Sequence, residues 1–420
     1  MARRHGGRRA VGAVVLVAVV ASCAVGSTPL APPFAVVPLY SDGVVLDQAG
    51  EPQLVRVGET ARSDPYQRER QDAWLEAGTV PGPERYRGLA EQALRDLDAL
   101  VLDDGAALAA ASPAWRYVWP RDASFTAVAL ARTGHSSDAY DVLHYLQQMQ
   151  DLRSTEGVFE ARYRPDGTGD VPDERGLQLD GNGWVLWAVA EWYAAADRAT
   201  RTADLTSLAP LVERSLAAIR SNVDPVTGVP AAFPDYWETR VRTPTLGTAA
   251  PLLAGVRACE DVVAALGLPP TADLVALLER GVDQFAPHYP RHLGGTAQDT
   301  AVAFLMPPFA PLDPQVRAAW TDAQAEMSRP AGGLAPGATW KRDGISWTPT
   351  TAVFALTAAA SGDVDAATAR LDWLEEHRTA RGALPEKVLW DGSPSAVAPL
   401  AWTASLVLLT LDELDRQGVE

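Results

Sequence analysis

The feature that most constrains the fold is an alternation in loop length. From residue 84 onward the chain reads as twelve helical segments with almost no strand: 84–102, 121–133, 136–150, 182–199, 206–222, 245–266, 270–286, 297–306, 314–327, 348–360, 362–377 and 397–416. The connections after the second, sixth and tenth segments are a few residues long and marked by Gly134, Gly267 and Gly362. Those after the first, third, fifth, ninth and eleventh run to roughly 18 to 31 residues. Short loops join antiparallel neighbours, and long structureless ones usually carry function. The even-numbered segments begin every 50–65 residues or so, near 121, 182, 245, 297, 348 and 397. Six such hairpins close into an all-α (α/α)6 barrel with the long loops on one rim. An open solenoid is the rival, and the chain length and lack of a repeat signature favour the closed ring. Residues 348–360 and 397–408 are apolar nearly all round, as inner helices covered on both sides must be, whereas 84–102 and 362–377 carry a charged face.

The N-terminus reads differently. Arg3, Arg4, Arg8 and Arg9 precede an apolar run from Val11 to Ala21, too short to span a bilayer but right for a signal peptide. It ends Val20-Ala21-Ser22-Cys23, which is similar to a bacterial lipobox with Cys23 as the lipidated residue; a simple cleaved secretory signal is the alternative. Both place the mature protein outside the cytoplasm, secreted or lipid-anchored to the outer face of the cell membrane. The expected organisation is a leader over 1–23, a tether and short extension over 24–83 with a hairpin from Val36–Leu46 and Leu54–Val57, and a catalytic domain over 84–420. With 36 Lys and Arg against 53 Asp and Glu, the net charge is −17, which gives no electrostatic reason to bind nucleic acid. Two cysteines exclude a disulfide frame, and Cys259 reads as a buried small side chain. His288 and His292 have helical metal-pair spacing, but Pro290 between them breaks any shared face. No metal or cofactor is expected, and oligomeric state is not legible.

Polar and aromatic residues gather just before the inner helices. Tyr117-Val118-Trp119-Pro120-Arg121-Asp122 leads into the second segment, and Gln178-Leu179-Asp180-Gly181 into the fourth. Asp235-Tyr236-Trp237-Glu238-Thr239-Arg240 precedes the sixth, and Trp340-Lys341-Arg342-Asp343 with Trp347 the tenth. Leu384-Pro385-Glu386 and Trp402 bracket the start of the last. If the inner helices all point their N-termini to one rim, these converge on one cavity mouth. Trp (13) outnumbers Tyr (10) and Phe (8), and indole faces suit the apolar face of a pyranose. Glycosidic cleavage needs two carboxyl groups in opposite protonation states and no metal. An acidic, Trp-rich, exported chain fits a small carbohydrate substrate.

Trp119-Pro120-Arg121-Asp122-Ala123, Gln178-Leu179-Asp180-Gly181, Trp237-Glu238-Thr239-Arg240 and Leu384-Pro385-Glu386 together resemble the motifs of glycoside hydrolase family 15, the glucoamylase-like enzymes, in order and approximate spacing. The resemblance covers residues 84–418 and implies the (α/α)6 barrel and exo-acting, inverting release of β-glucose from an α-glucoside. It implies Glu238 as general acid and Glu386 as general base. It implies further that Arg121 and Asp122 grip the terminal glucose, that Trp119, Trp237, Trp347 and Trp402 wall the pocket, and that Gln178 and Asp180 line it. Tyr117 joins the substrate-binding set, although it and Trp115 read equally as core, and so does Arg342, with Lys341 as the alternative. For inversion the two carboxyls should stand roughly 6.5–9.5 Å apart, with a water between. Many members carry Trp-Glu-Glu where this chain has Thr239, and the chain lacks their β-sandwich and starch-binding domains. Short α-glucans or disaccharides are therefore expected over starch.

Other readings stand beside this one. Glu238 and Glu386, taken singly, suit helix caps or surface carboxylates, and Arg121-Asp122 suits a structural ion pair. Trp184, Trp187 and Trp192 read as core, Asp299 as a cap, and Arg68-Glu69-Arg70 as a solvated face. Two other functions use the same scaffold: a non-catalytic sugar-binding lipoprotein, and a disaccharide phosphorylase. The latter would need a basic phosphate pocket, for which Arg378, Arg381 and Lys387 flank Glu386 in sequence.

Overall fold

In the computed structural model the described residues are 34–153 and 155–419, and those from Phe34 onward form one compact unit. The leader, Cys23 and the first part of the tether lie outside the described residues. Within the extension, β1 (Gly43–Leu46) and β2 (Pro52–Val55) form an antiparallel hairpin with Gly43 opposite Val55. It is followed by a helix that the sequence reading lacked, α1 (Pro65–Ala77). Asp64 caps α1 by accepting the Tyr66 N–H at 2.9 Å, and Pro65 fixes its first turn.

The barrel is a closed ring. Its inner members are α3 (Pro120–Arg132), α5 (Asp180–Ala195), α8 (Leu246–Ala258), a 3₁₀ segment (Thr300–Leu305), α12 (Thr348–Ala360) and α14 (Ala401–Arg416). Each packs on the next in that order, and α14 packs back on α3. An outer layer covers them: α4 (Ser136–Leu152) on α3, α7 (Ala209–Ser221) on α5, α10 (Ala272–Asp283) on α8, α11 (Pro314–Met327) on the 3₁₀ segment, α13 (Val364–Glu376) on α12, and α2 (Arg87–Leu100) on α14. Short helices α6 (Arg201–Ser207) and α9 (Glu260–Ala265) break the fifth and sixth expected segments in two.

Composition explains which helices are inside. Every residue of α12 from Thr348 to Ala359 is buried, as is every residue of α14 from Ala401 to Leu411. α5 and α8 approach closely because Gly183 and Gly255 face each other; a Cβ on Gly255 would come within 2.0 Å of the Gly183 carbonyl. Phe125, Trp184, Trp187, Phe304 and Phe309 form one aromatic cluster of tilted and edge-to-face contacts, and Trp184, Trp187 and Trp192 are fully buried. Cys259 is buried where α8 ends.

The fourth inner position differs from the expected helix 297–306. It is a single 3₁₀ segment, capped by Asp299, whose side chain accepts the Ala301 N–H at 3.0 Å, and Pro307 and Pro308 follow it without a donor to offer. A small antiparallel sheet, β3 (Ser346–Trp347), β4 (Lys387–Val388) and β5 (Pro394–Ser395), ties the loops before α12 and α14 together. No helix among the described residues is long and apolar enough to cross a membrane.

Candidate active site

The loops entering the inner helices enclose a cavity of about 340 Å³, a size suited to a small ligand. α3 supplies its first wall. Trp119 stands at the N-cap, Pro120 sets the first turn, and Arg121 and Asp122 follow inside it. Both are buried and both reach the cavity. Arg121 pairs with Asp122 at 3.0 Å and with Asp180 at 3.9 Å, and its guanidinium lies 4.8 Å over the Trp402 ring. Neither contact has hydrogen-bond geometry: Arg121 Nε and Nη1, Asp122 Oδ2 and both Asp180 oxygens have no hydrogen-bond partner within the protein. Buried polar groups are normally satisfied, and Arg121 and Asp122, which line the cavity, keep atoms with no partner in the protein. Burial raises the Asp122 carboxyl, against the pull of Arg121, and pushes Asp180 up to about 7.

Glu238 arrives on the loop before α8. Its backbone sits at φ 54°, in the left-handed region that costs a non-glycine residue about 1–3 kcal/mol. The turn is held from beneath. Arg291 is 2% exposed; it pairs with Asp235 at 2.7 Å and Asp299 at 3.5 Å and lies 3.8 Å over the Trp237 ring. Asp235 also accepts the Trp237 N–H at 3.0 Å, and the Tyr236 hydroxyl donates to Asp299. The Glu238 N–H donates to the Asp235 carbonyl at 2.7 Å. Burial pushes the Asp299 carboxyl up to about 6 despite Arg291. Trp237 can lie this close because residue 337 is glycine; a Cβ there would come within 2.6 Å of its ring. Two groups grip the Glu238 carboxyl: the Trp119 indole N–H donates to Oε1 at 2.5 Å, and the Arg175 guanidinium pairs with Oε2.

Glu386 comes from the loop before β4. Its N–H donates to the Val397 carbonyl at 2.8 Å and its carbonyl accepts the Thr348 N–H at 3.1 Å, pinning it to the start of α12. The side chain is mostly buried. Oε1 accepts the Trp115 indole N–H at 3.4 Å. Oε2 has Lys387 Nζ at 3.1 Å, but not in hydrogen-bond alignment, and no other partner. Lys387 also lies 4.2 Å over the Trp347 ring, its register partner in β3. Trp237, Trp340 and Trp347 meet edge to face at 4.7 and 5.4 Å and form a continuous indole wall.

Glu238, Glu386, Trp119, Arg121, Asp122, Trp237, Trp347 and Trp402 thus line one cavity. Four expected members do not. Gln178 is buried behind the wall and donates to the Asp235 carbonyl at 3.3 Å, so it supports the Glu238 loop. Asp180 lies behind Arg121. Tyr117 carries the Arg162 guanidinium 4.3 Å over its ring, beside the cavity. Arg342 is exposed because the chain turns outward between Trp340 and Ile345. Asp299 caps the 3₁₀ segment, as expected, and also anchors Arg291. Thr239 is exposed and does not reach the cavity.

Sequence reasoning missed Arg162 and Arg175, which line the cavity from the long loop between α4 and α5 and share Asp173 at 2.5 and 3.0 Å. The length of that loop was the available signal. Arg291 was also missed; nothing in its local sequence marks it. Trp115 and Trp340 were in view as aromatic residues without an assigned place.

A closed ring of six inner and six outer elements, with aromatic residues and carboxylates at one rim, is the fold of the glucoamylase-like six-hairpin glycosidases. No family model matches the chain. It is 28% identical to the isomaltose glucohydrolase of Kribbella flavida (strain DSM 17836 / JCM 10339 / NBRC 14399), over 71% of this chain and 84% of that protein. A solved wild-type glycosidase superposes with a TM-score of 0.65 at 23% identity, covering 84% of this chain and 99% of that one. A bacterial glucoamylase complexed with acarbose gives 0.62 at 16% identity, covering 84% and 60%.

Proposed function

We propose that the chain is a glycoside hydrolase: an exo-acting, inverting α-glucosidase that releases β-glucose from short α-glucans or α-glucosyl disaccharides. The observation that supports this is the convergence of two glutamates on one indole-walled cavity, each carboxyl accepting an indole N–H. Glu238 acts as the acid: its proton goes to the glycosidic oxygen as the bond to the anomeric carbon breaks. Glu386 acts as the base: its Oε2, ion-paired to Lys387 but with no hydrogen-bond donor, takes a proton from the water that attacks the opposite ring face. Arg121 and Asp122 bind the hydroxyls of the terminal glucose. The Arg175 guanidinium pairs with Oε2 of Glu238 and closes the cavity from the α4–α5 loop. The 28% identical relative is named for isomaltose, which favours an α-1,6 disaccharide.

A phosphorylase would need free cations facing the substrate. The cavity's arginines are each paired to a carboxylate: Arg121 to Asp122, Arg162 to Asp173, and Arg175 to Asp173 and Glu238. This favours water over phosphate as the nucleophile. Export rests on the Arg-rich leader and its apolar run, with Cys23 proposed as the anchoring residue. The test is turnover on isomaltose, maltose, trehalose and maltooligosaccharides, with and without phosphate. Phosphate-independent glucose release from a short α-glucoside, lost in Glu386→Ala while that variant still binds the sugar, is expected. Binding without turnover in the wild type would leave a sugar-binding protein instead.

A further inference from the structure

A second cavity of about 340 Å³ lies where β1, α1, α2 and the turn before Glu386 meet, and it shares no lining residue with the first. Its character is different. No aromatic ring lines it, and four arginines do: Arg62, Arg68, Arg95 and Arg381. Arg95 is neutralised by Asp72 at 2.6 Å. Among the described residues the other three pair with no carboxylate; Arg68 and Arg381 donate to the carbonyls of Ser63 and Ala61 at 3.1 and 2.9 Å. Three guanidinia without an ion-pair partner on one small cavity stand out in a chain of net charge −17.

Behind them lies Asp96, 2% exposed. Asp96 lines the cavity; its Oδ1 accepts the Gln92 amide at 2.9 Å, and its Oδ2 is buried with no partner in the protein. An orphaned buried oxygen needs a ligand or water to satisfy it. Burial pushes this carboxyl up to about 7, against the Gln92 hydrogen bond and the charges of Arg378 and Arg381, so below neutrality it holds a proton to donate.

The donor set selects the ligand. A sugar site would present a ring for stacking, and this cavity has none. A carboxylate offers two oxygens, whereas a phosphate offers three or four to as many charge-assisted donors. We propose that this cavity binds a small phosphate-bearing anion, inorganic phosphate or a phosphate monoester, on Arg62, Arg68, Arg381 and Asp96. Because it is separate from the glutamates, the anion is a bound ligand and not the nucleophile of the reaction. Arg381 stands five positions before Glu386, so occupancy ties the hairpin and α1 to the loop that carries this glutamate.

The test is calorimetric titration of the full chain with inorganic phosphate and, separately, glycerol phosphate, against chloride at matched ionic strength. One saturable site per chain is expected, with a matching rise in melting temperature. Binding by both ligands marks a free-phosphate site, and binding by the ester alone a site for esters. Arg62→Gln and Arg381→Gln should each weaken binding about tenfold or more. Arg62 is exposed, so its variant is expected to melt like the wild type without ligand. No saturable heat beyond chloride, or unchanged affinity in a folded Arg62→Gln variant, would overturn the proposal.

Discussion

The indole N–H of Trp119 meets Oε1 of Glu238 at 2.5 Å, and Arg175 closes on the other oxygen of the same carboxyl. A carboxyl held by two partners is fixed in direction, and the proposed acid role of Glu238 rests on the indole contact.

Glu238→Gln keeps the shape and removes the proton. Release of glucose from isomaltose is expected to fall by about 10²–10⁴-fold. A nitrophenyl α-glucoside has a leaving group that departs without protonation, so its hydrolysis should fall far less. Paired kcat measurements on the two substrates check this; equal losses would remove Glu238 from the acid role.

Trp115→Phe keeps a ring but deletes the N–H that reaches Glu386 Oε1 at 3.4 Å. The contact is long, so a drop in kcat of about tenfold at most is expected, with KM little changed. Steady-state kinetics on isomaltose separate the two parameters.

Arg291→Met strands Asp235 and Asp299 in the interior. Breaking a buried pair by removing one partner costs about 3–5 kcal/mol. The urea midpoint should fall accordingly, and turnover should fall further as the Glu238 turn loses its support. The stability loss should shrink at low pH, where Asp299, already raised to about 6 by burial, takes up a proton.

Asp180 sets a pH test of stability. Burial raises its carboxyl from 3.8 to about 7. Between those values the native state keeps a proton that the unfolded chain gives up, so this group's contribution is full below pH 3.8 and is lost as pH rises through about 7. Asp180→Asn has no such dependence. Its melting temperature relative to wild type should therefore climb by a few degrees between pH 4 and pH 8. A flat difference across that range would contradict the assignment.

The ring was legible because its causes are local. α12 and the first part of α14, Ala401 to Leu411, are buried on every face, and Gly134 and Gly362 mark the tight turns. The site was legible where residues sit at helix starts, as Trp119, Arg121 and Asp122 do. It was not legible where tertiary contact decides. Arg291 follows α10 and reaches Asp235, which is 56 positions away. Arg175 sits in a loop with no periodicity to read. Arg342 shares its segment with Trp340 and Trp347, yet only the tryptophans turn inward. α1 escaped notice because its mostly polar sequence lacks a helical stripe, and Arg70, taken for part of a solvated face, pairs with Asp98 at 2.6 Å.

The central claim is that water, activated by Glu386, attacks the anomeric carbon from the face opposite the bond that Glu238 protonates. Proton NMR of the first glucose released from isomaltose, recorded before mutarotation, tests it directly. The account predicts the β-anomer. First-formed α-glucose would show retention and contradict it.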